Sequence, residues 1–305
     1  MTFENGIYYS LSDFLKQKFG TKTVKLSIDA GFTCPNRDGL KGTGGCIFCG
    51  GKGSGDFAGD RVSSIKEQIE SQKKLISKKW PSAKYIAYFQ AFSNTYASAE
   101  ILTHKYSEAL LCSDIVALAI ATRPDCIENE VLDVLKSFAE KTYLWVELGL
   151  QTSNEETGRF LNRGYTNADF KKAVNILNTA GIDTVAHIIV GLPGESREDI
   201  INSVKFALSC GINGIKLHML HVIKDTALYE IYKDNPFNIM TLDEYTDTIV
   251  EILRIIPPDI VIHRLTGDGP KDITVAPIWS FNKRNVLNLI GKKMRAEGFK
   301  QGDLT

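Results

Sequence analysis

A repeated alternation of short apolar runs with amphipathic segments constrains this chain most. Residues 24–28, 85–89, 115–121, 144–150, 184–190 and 215–220 read as strands. Helical patterns follow them at 61–79, 97–110, 126–139, 154–161 with 167–180, from 196 onward, and at 225–232 with 242–256. Six strands that each feed a helix make the βα repeat of an α/β protein. Ser196 with Asp199 three residues on comes close to a capping box at one helix start. Neither G-x-G-x-x-G nor G-x-x-x-x-G-K-[ST] occurs, so the dinucleotide and P-loop signatures are absent.

Periodicity alone does not separate an open doubly wound sheet from a barrel. The polar residues favour the barrel. Cys34, Gln90, Ser93, Arg123, Glu147, Gln151, His187 and His218 all lie in or just beyond the strands. In a βα barrel such positions converge at one mouth. The expected fold is a partial TIM-type barrel, (β/α)6, over residues 1–256, with a C-terminal extension over 257–305. That extension reads as a short strand at 261–265, a turn-rich loop at 266–270 and a basic helix at 282–297, expected to close or cover the open side.

At 305 residues, 43% hydrophobic and 24% charged, the chain can bury a full core, which excludes wholesale disorder and a fibrous repeat. Six cysteines are too few for a disulfide scaffold of this size. The first twenty residues lack the pattern of a signal peptide, and no apolar run approaches membrane-spanning length. A soluble, cytoplasmic protein with no membrane partner is expected. Thirty-six basic residues balance thirty-six acidic ones, but unevenly. Residues 1–80 carry 13 against 8, residues 260–305 carry 8 against 4, and the middle carries 15 against 24. If the two ends meet, they make a basic face suited to a phosphate-rich partner. The plainer reading is that Lys73, Lys74, Lys78 and Lys79 solvate one helix face, and no zinc-finger, homeodomain or RNP signature is present.

The loop at 30–60, after the first strand, holds 10 glycines together with Cys34, Cys46 and Cys49. A connection of that length is a functional hint. Thiols spaced this way suit a three-cysteine [4Fe-4S] cluster, a zinc ion, or reactive and structural thiols. No histidine occurs before His104, and Cys112, Cys126 and Cys210 lie far along the chain, so a fourth zinc ligand is not evident. A cluster held by three cysteines leaves one iron open to a bidentate small molecule.

Cys46-Ile47-Phe48-Cys49, preceded by a distant third cysteine, resembles the cluster motif of the radical S-adenosylmethionine enzymes. The long first gap resembles the branch related to the Elongator catalytic subunit, especially its small bacterial relatives. The resemblance extends through 264–270 and 276–280, nearly the whole chain. It implies that Cys34, Cys46 and Cys49 ligate the cluster and that Phe48 packs by cluster and adenine. It places the methionyl amino group at Gln90 through Asn94, including Ser93, where 89–96 departs from the common Gly-Gly-Glu. It makes Arg123 cofactor- or substrate-facing, sends Glu147 and Gln151 to the ribose region, and puts Arg163 near the methionyl carboxylate. It sets the backbone around Gly191 against the adenine. A carboxylate such as Glu147 inside an apolar run needs donors, from ribose or from a structural partner such as Arg163 or Arg123. His187, His218, His221, His263 and Asp268 are further candidates to face substrate, the alternative being core or tail contacts.

The resemblance also implies chemistry. A reduced cluster cleaves S-adenosylmethionine to methionine and a 5′-deoxyadenosyl radical that takes hydrogen from an unactivated C–H bond. A flavodoxin or ferredoxin is the implied electron donor. Related enzymes modify the wobble uridine of tRNA, which makes tRNA the candidate partner. The chain lacks room for an acetyltransferase domain. A radical enzyme of small metabolites and a non-catalytic metal-cluster binding protein are the competing readings.

Overall fold

The computed structural model describes residue 3 and residues 6–305. Met1, Thr2, Glu4 and Asn5 lie outside the described residues, and with them the first part of the stretch read above as lacking a leader.

In chain order the elements are α1 (Leu11–Phe19), β1 (Thr23–Ile28), α2 (Ile65–Ser77), β2 (Lys84–Phe89), α3 (Ala99–Leu110) and β3 (Ile115–Thr122). Then come α4 (Asn129–Ala139), β4 (Tyr143–Gln151), α5 (Glu155–Phe160), α6 (Asn167–Thr179), β5 (Asp183–Val190) and α7 (Arg197–Ser209). The last third holds β6 (Gly214–Met219), β7 (Val222–Ile223), α8 (Ala227–Asp234), α9 (Leu242–Ile255), β8 (Val261–Arg264), β9 (Thr274–Ala276) and α10 (Lys283–Ala296). Five helices start at full capping boxes: Ser10 with Asp13, Ser64 with Glu67, Thr166 with Asp169, Ser196 with Asp199 and Thr241 with Glu244. Each pair satisfies two amide groups that a helix start otherwise leaves open, so these starts are encoded locally.

The main sheet is parallel throughout, in the order β1-β2-β3-β4-β5-β6-β8. The expected six-stranded barrel thus has a seventh strand. The short run in the tail pairs Gly214 with Val261 and Ile215 with Ile262, joining the sheet rather than only covering it. The neighbouring β7 and β9 make a separate antiparallel pair.

The sheet curls into a half-barrel, and α1, an element absent from the strand-by-strand reading, packs against both of its edge strands, β1 and β8. The segment before α1 hangs on β8: Ile262 N–H donates to Tyr9 O at 2.8 Å. Gln301 closes the same corner, accepting from Tyr9 N–H at 2.8 Å and donating to the carbonyls of Pro257 and Ile260. The two net-positive ends of the chain therefore meet.

Strand parity divides the interior. Leu26, Ile28, Phe89, Leu118, Ile120, Val146 and Leu148 face outward into one core with Ile69, Tyr106, Leu135 and Phe170 of the helices. Burial of each such side chain contributes about 1.5–3 kcal/mol. The inward row of β3 is Ala117, Ala119 and Ala121, small residues that leave room inside the curl. Leu11, Phe14, Leu15 and Phe19 of α1 plug one end of that space against Ile86, Trp145 and Val185. Polar side chains line the other end. Among the described residues no helix is long and apolar enough to cross a membrane.

Candidate active site

The inward row continues beyond the plug as Lys25, Ser27, Tyr88, Glu147, Gly149, His187, Lys216, His218 and His263, which line a cavity of about 490 Å³. The end of β4 bends this row. The β4–β5 register slips between Gly149 and Gln151, and Gln151 takes a left-handed backbone with φ 67°. The bulge turns Gln151 into the cavity, a strained arrangement of the kind found at binding sites. A Cβ on Gly149 would lie 2.7 Å from Gln151 Nε2 and 3.0 Å from the Tyr165 hydroxyl, so Gln151 would have to shift to admit it.

The loop after β1 forms the rim. It is fastened by Gln68, whose buried amide accepts from Asp29 N–H at 3.0 Å and donates to Asp29 O at 2.8 Å. Asn162 Nδ2 donates to Gly45 O at 2.8 Å, and Ile47 N–H donates to Leu161 O at 3.0 Å. Cys34, Cys46, Cys49 and Phe48 line one wall of the cavity. Burial, then the neighbouring Cys49, pushes the Cys46 thiol up to about 12. Burial also raises Cys49, while the Arg37 cation beside it pulls the other way. Among the described residues no three His, Cys, Asp or Glu side chains converge to hold a single metal ion.

Glu147 forms the centre of the cavity floor and is fully buried. Its Oε1 accepts from Lys25 Nζ at 2.6 Å and Trp145 Nε1 at 3.0 Å. Its Oε2 accepts from Lys216 Nζ at 2.8 Å, Tyr88 O–H at 3.0 Å and pairs with His187 Nε2 at 2.8 Å. Burial alone would raise this carboxyl, but Lys216 and Lys25 overcome it and hold it well below the usual range. Burial lowers Lys216 to about 7, with Glu147 opposing the fall and Lys25 adding to it. Burial likewise lowers His187, His221 and His263 to about 4 each, and His218 well below its ordinary value. His263 Nδ1 stands 3.8 Å from Glu147 Oε1, too far for a hydrogen bond, and His221 Nε2 has no protein partner.

Of the sequence candidates, the cavity gathers Cys34, Cys46, Cys49, Phe48, Gln90, Ser93, Arg123, Glu147 and Gln151, with His187, His218, His221, His263 and Asp268. Gln90 Nε2 donates to Ser54 O at 2.7 Å, so it also holds the loop. Arg123 is paired through two nitrogens with Asp125 and donates to Arg163 O at 2.9 Å. Three candidates lie elsewhere. Asn94 is buried and donates to Ala121 O at 2.8 Å. Arg163, 0% exposed, donates to the carbonyls of Leu150, Thr152 and Tyr165 and to Glu155, outside the cavity lining. Gly191 lines a second cavity, of about 260 Å³, beside Met240. Glu147 pairs with Lys25 and Lys216 rather than with Arg163 or Arg123.

Lys25 and Lys216 line the cavity without having been singled out from the sequence. A usable signal existed for Lys216, a cation between Ile215 and Leu217 in an apolar run, the same anomaly that marks Glu147.

Comparison with known proteins agrees with this geometry. The Radical SAM superfamily matches residues 36–207, and the Radical_SAM C-terminal domain matches 212–296. The protein YtqA of Bacillus subtilis is 43% identical over 97% of this chain and 92% of its own length. A tRNA uridine(34) acetyltransferase of Methanocaldococcus jannaschii is 31% identical over 61% of this chain, but only 34% of its own length is matched. The solved structure of Elp3 from Methanocaldococcus infernus superposes with a TM-score of 0.71 at 21% identity, over 92% of this chain and 64% of that one.

Proposed function

Because the chain belongs to the radical S-adenosylmethionine superfamily, we propose that it holds a [4Fe-4S] cluster on Cys34, Cys46 and Cys49, binds S-adenosylmethionine in the adjoining cavity and modifies the wobble uridine of tRNA. One observation carries the reading: three cysteines and the end of every strand from β2 to β6 open onto one cavity of about 490 Å³.

The donor set suits the cluster. The three thiols share a wall without meeting at a point, and an iron–sulfur cluster takes each thiolate at a different iron. Burial pushes both Cys46 and Cys49 toward the neutral thiol, and the charge of a bound metal acts in the opposite direction. Bound together, cluster and S-adenosylmethionine supply hydrogen abstraction from unactivated carbon.

This chain's residues do the rest. Gln90, Ser93 and Gln151 offer polar groups at the strand ends, in the same cavity as the three cysteines. Phe48 covers the apolar side, packed with Leu161, Ile189 and Leu192. Glu147, saturated by five donors, keeps the floor ordered rather than exchanging partners with solvent. Lys216 Nζ can hold or release a proton near neutral pH at the base of the cavity.

The tRNA reading draws on the relative named as a tRNA uridine acetyltransferase and on the meeting of the two basic chain ends. Part of that charge is neutralised, since Lys293 pairs with Asp243 and Asp247 and Lys283 with Asp268. A flavodoxin or ferredoxin is the class of donor that would reduce the cluster.

The test is anaerobic reconstitution followed by reductive cleavage of S-adenosylmethionine. 5′-Deoxyadenosine should form with the unaltered protein and vanish in C34A, C46A and C49A. A properly loaded protein that forms none, even with tRNA present, sinks the catalytic reading. The nucleoside profile of tRNA from a deletion strain should lose one modification. An unchanged profile alongside intact cleavage activity moves the substrate to a small metabolite.

A further inference from the structure

The cysteine loop carries its own cation. Arg37 stands three residues after Cys34, and its Nη2 donates to Cys49 O at 2.7 Å and to Gly50 O at 2.8 Å. Both polar partners are carbonyl oxygens, so no ion pair among the described residues cancels the charge. The side chain is held in place. Its Cζ lies 5.6 Å from the centre of the Phe92 ring, and a Cβ on Gly45 would sit 2.8 Å from its Nε. That glycine has φ 77°, which bare backbone adopts readily.

The preceding residue acts on the next cysteine. Asn36 is 1% exposed, and its Nδ2 donates to Asn162 O at 2.6 Å and stands 3.9 Å from Cys46 Sγ. Two consecutive residues thus direct one guanidinium and one amide toward Cys49 and Cys46.

We propose that Arg37, assisted by Asn36, is a positioning residue that raises the reduction potential of the cluster. The inference rests on the cluster reading above. Reduction brings in one electron from the flavodoxin or ferredoxin donor and neither makes nor breaks a bond. The added negative charge lands in a partly buried site, where a fixed cation and an amide donor stabilise the reduced form more than the oxidised one. Both bonds come from the single nitrogen Nη2, so it is the fixed positive charge, rather than the fork of the guanidinium, that the site uses.

The test compares wild-type, R37M, R37K and N36S proteins, reconstituted without oxygen. Iron and sulfide per chain are measured first. The midpoint potential is then titrated with low-potential dyes and followed by electron paramagnetic resonance. R37M with a full cluster should titrate at a more negative potential. R37K, which keeps the charge, should shift less, and N36S should shift slightly in the same direction. A fully loaded R37M with the wild-type midpoint overturns the proposal, as does R37K shifting as far as R37M. If R37M fails to load, R37K and N36S decide: midpoints at the wild-type value count against the proposal. Wild-type protein that takes up no iron and sulfide overturns the cluster reading itself, an outcome distinguishable because no midpoint then exists to compare.

Discussion

Lys216 Nζ lies 2.8 Å from Glu147 Oε2, the lysine side chain 8% exposed and the glutamate side chain 0%. On the other oxygen, Lys25 Nζ lies 2.6 Å away. Two amines share one carboxylate beneath the cavity, and with Lys216 protonated the floor carries more positive than negative charge. Burial, opposed by Glu147 and aided by Lys25, lowers Lys216 to about 7.

That excess makes the partners unequal. Glu147→Gln leaves two ammonium groups without a counter-charge and is expected to cost roughly 3–5 kcal/mol. Lys216→Met removes the surplus cation and leaves the Lys25–Glu147 pair, so it should cost much less. Urea unfolding of both variants checks this. Equal losses would mean that the surplus charge is not what distinguishes them.

The buried histidines set the acid limit. His187, His221 and His263 sit at about 4 in the folded chain against an ordinary value near 6.5. Between these values the unfolded state binds protons that the folded state refuses. Stability therefore falls as pH drops from 6.5 toward 4. Above neutrality Lys216 acts in the same sense, and stability rises between pH 7 and its ordinary value. Melting temperatures across pH 4 to 7 should fall with acid, and a His187→Gln, His263→Gln double variant should flatten the slope. An unaltered slope removes these histidines as its source.

Gly53 marks where the cysteine loop meets the segment that follows β2. It has φ +56°, and a Cβ would lie 2.5 Å from the Phe92 ring. Phe92 N–H also donates to Gly53 O at 2.9 Å. Gly53→Ala should destabilise by about 1–2 kcal/mol through the backbone alone, and it should reduce iron uptake by displacing the loop. Gly51→Ala meets nothing within 4 Å and serves as the control. Equal iron content in the two variants would show that the contact does not hold the loop.

Arg163 spends its donors on protein. Arg163→Met strands the carbonyls of Leu150, Thr152 and Tyr165 and should cost about 3 kcal/mol or more. Arg163→Lys should recover little of the loss, because one ammonium cannot span those acceptors. Denaturation midpoints decide. A stable Arg163→Met protein with weakened S-adenosylmethionine binding would return this residue to the ligand.

Much of this was legible along the chain. The two periods, 2 and 3.6, mark strands and helices because side-chain direction follows backbone geometry locally. Helix starts such as Ser196 with Asp199 satisfy their amides within four residues. Cys34, Cys46 and Cys49 stand out by residue type and spacing, which no packing alters. Glu147 was visible as a charge in an apolar run, although its partners were not.

The rest required the tertiary structure. Lys25 and Lys216 are 191 residues apart in sequence, and only the curl of the sheet sets both on one carboxylate. The strand at 261–264 became the seventh because its backbone found an open edge at β6, a long-range pairing that local preference does not encode. Arg163 and Gln151 are both polar residues near the end of β4, yet a bulge turns Gln151 into the cavity while Arg163 is consumed by backbone carbonyls. Sequence by itself determined which groups the chain carries and the period of each segment. Three-dimensional packing decided which groups face one another, because a buried charge or amide takes whichever partner the folded sheet brings within about 3 Å.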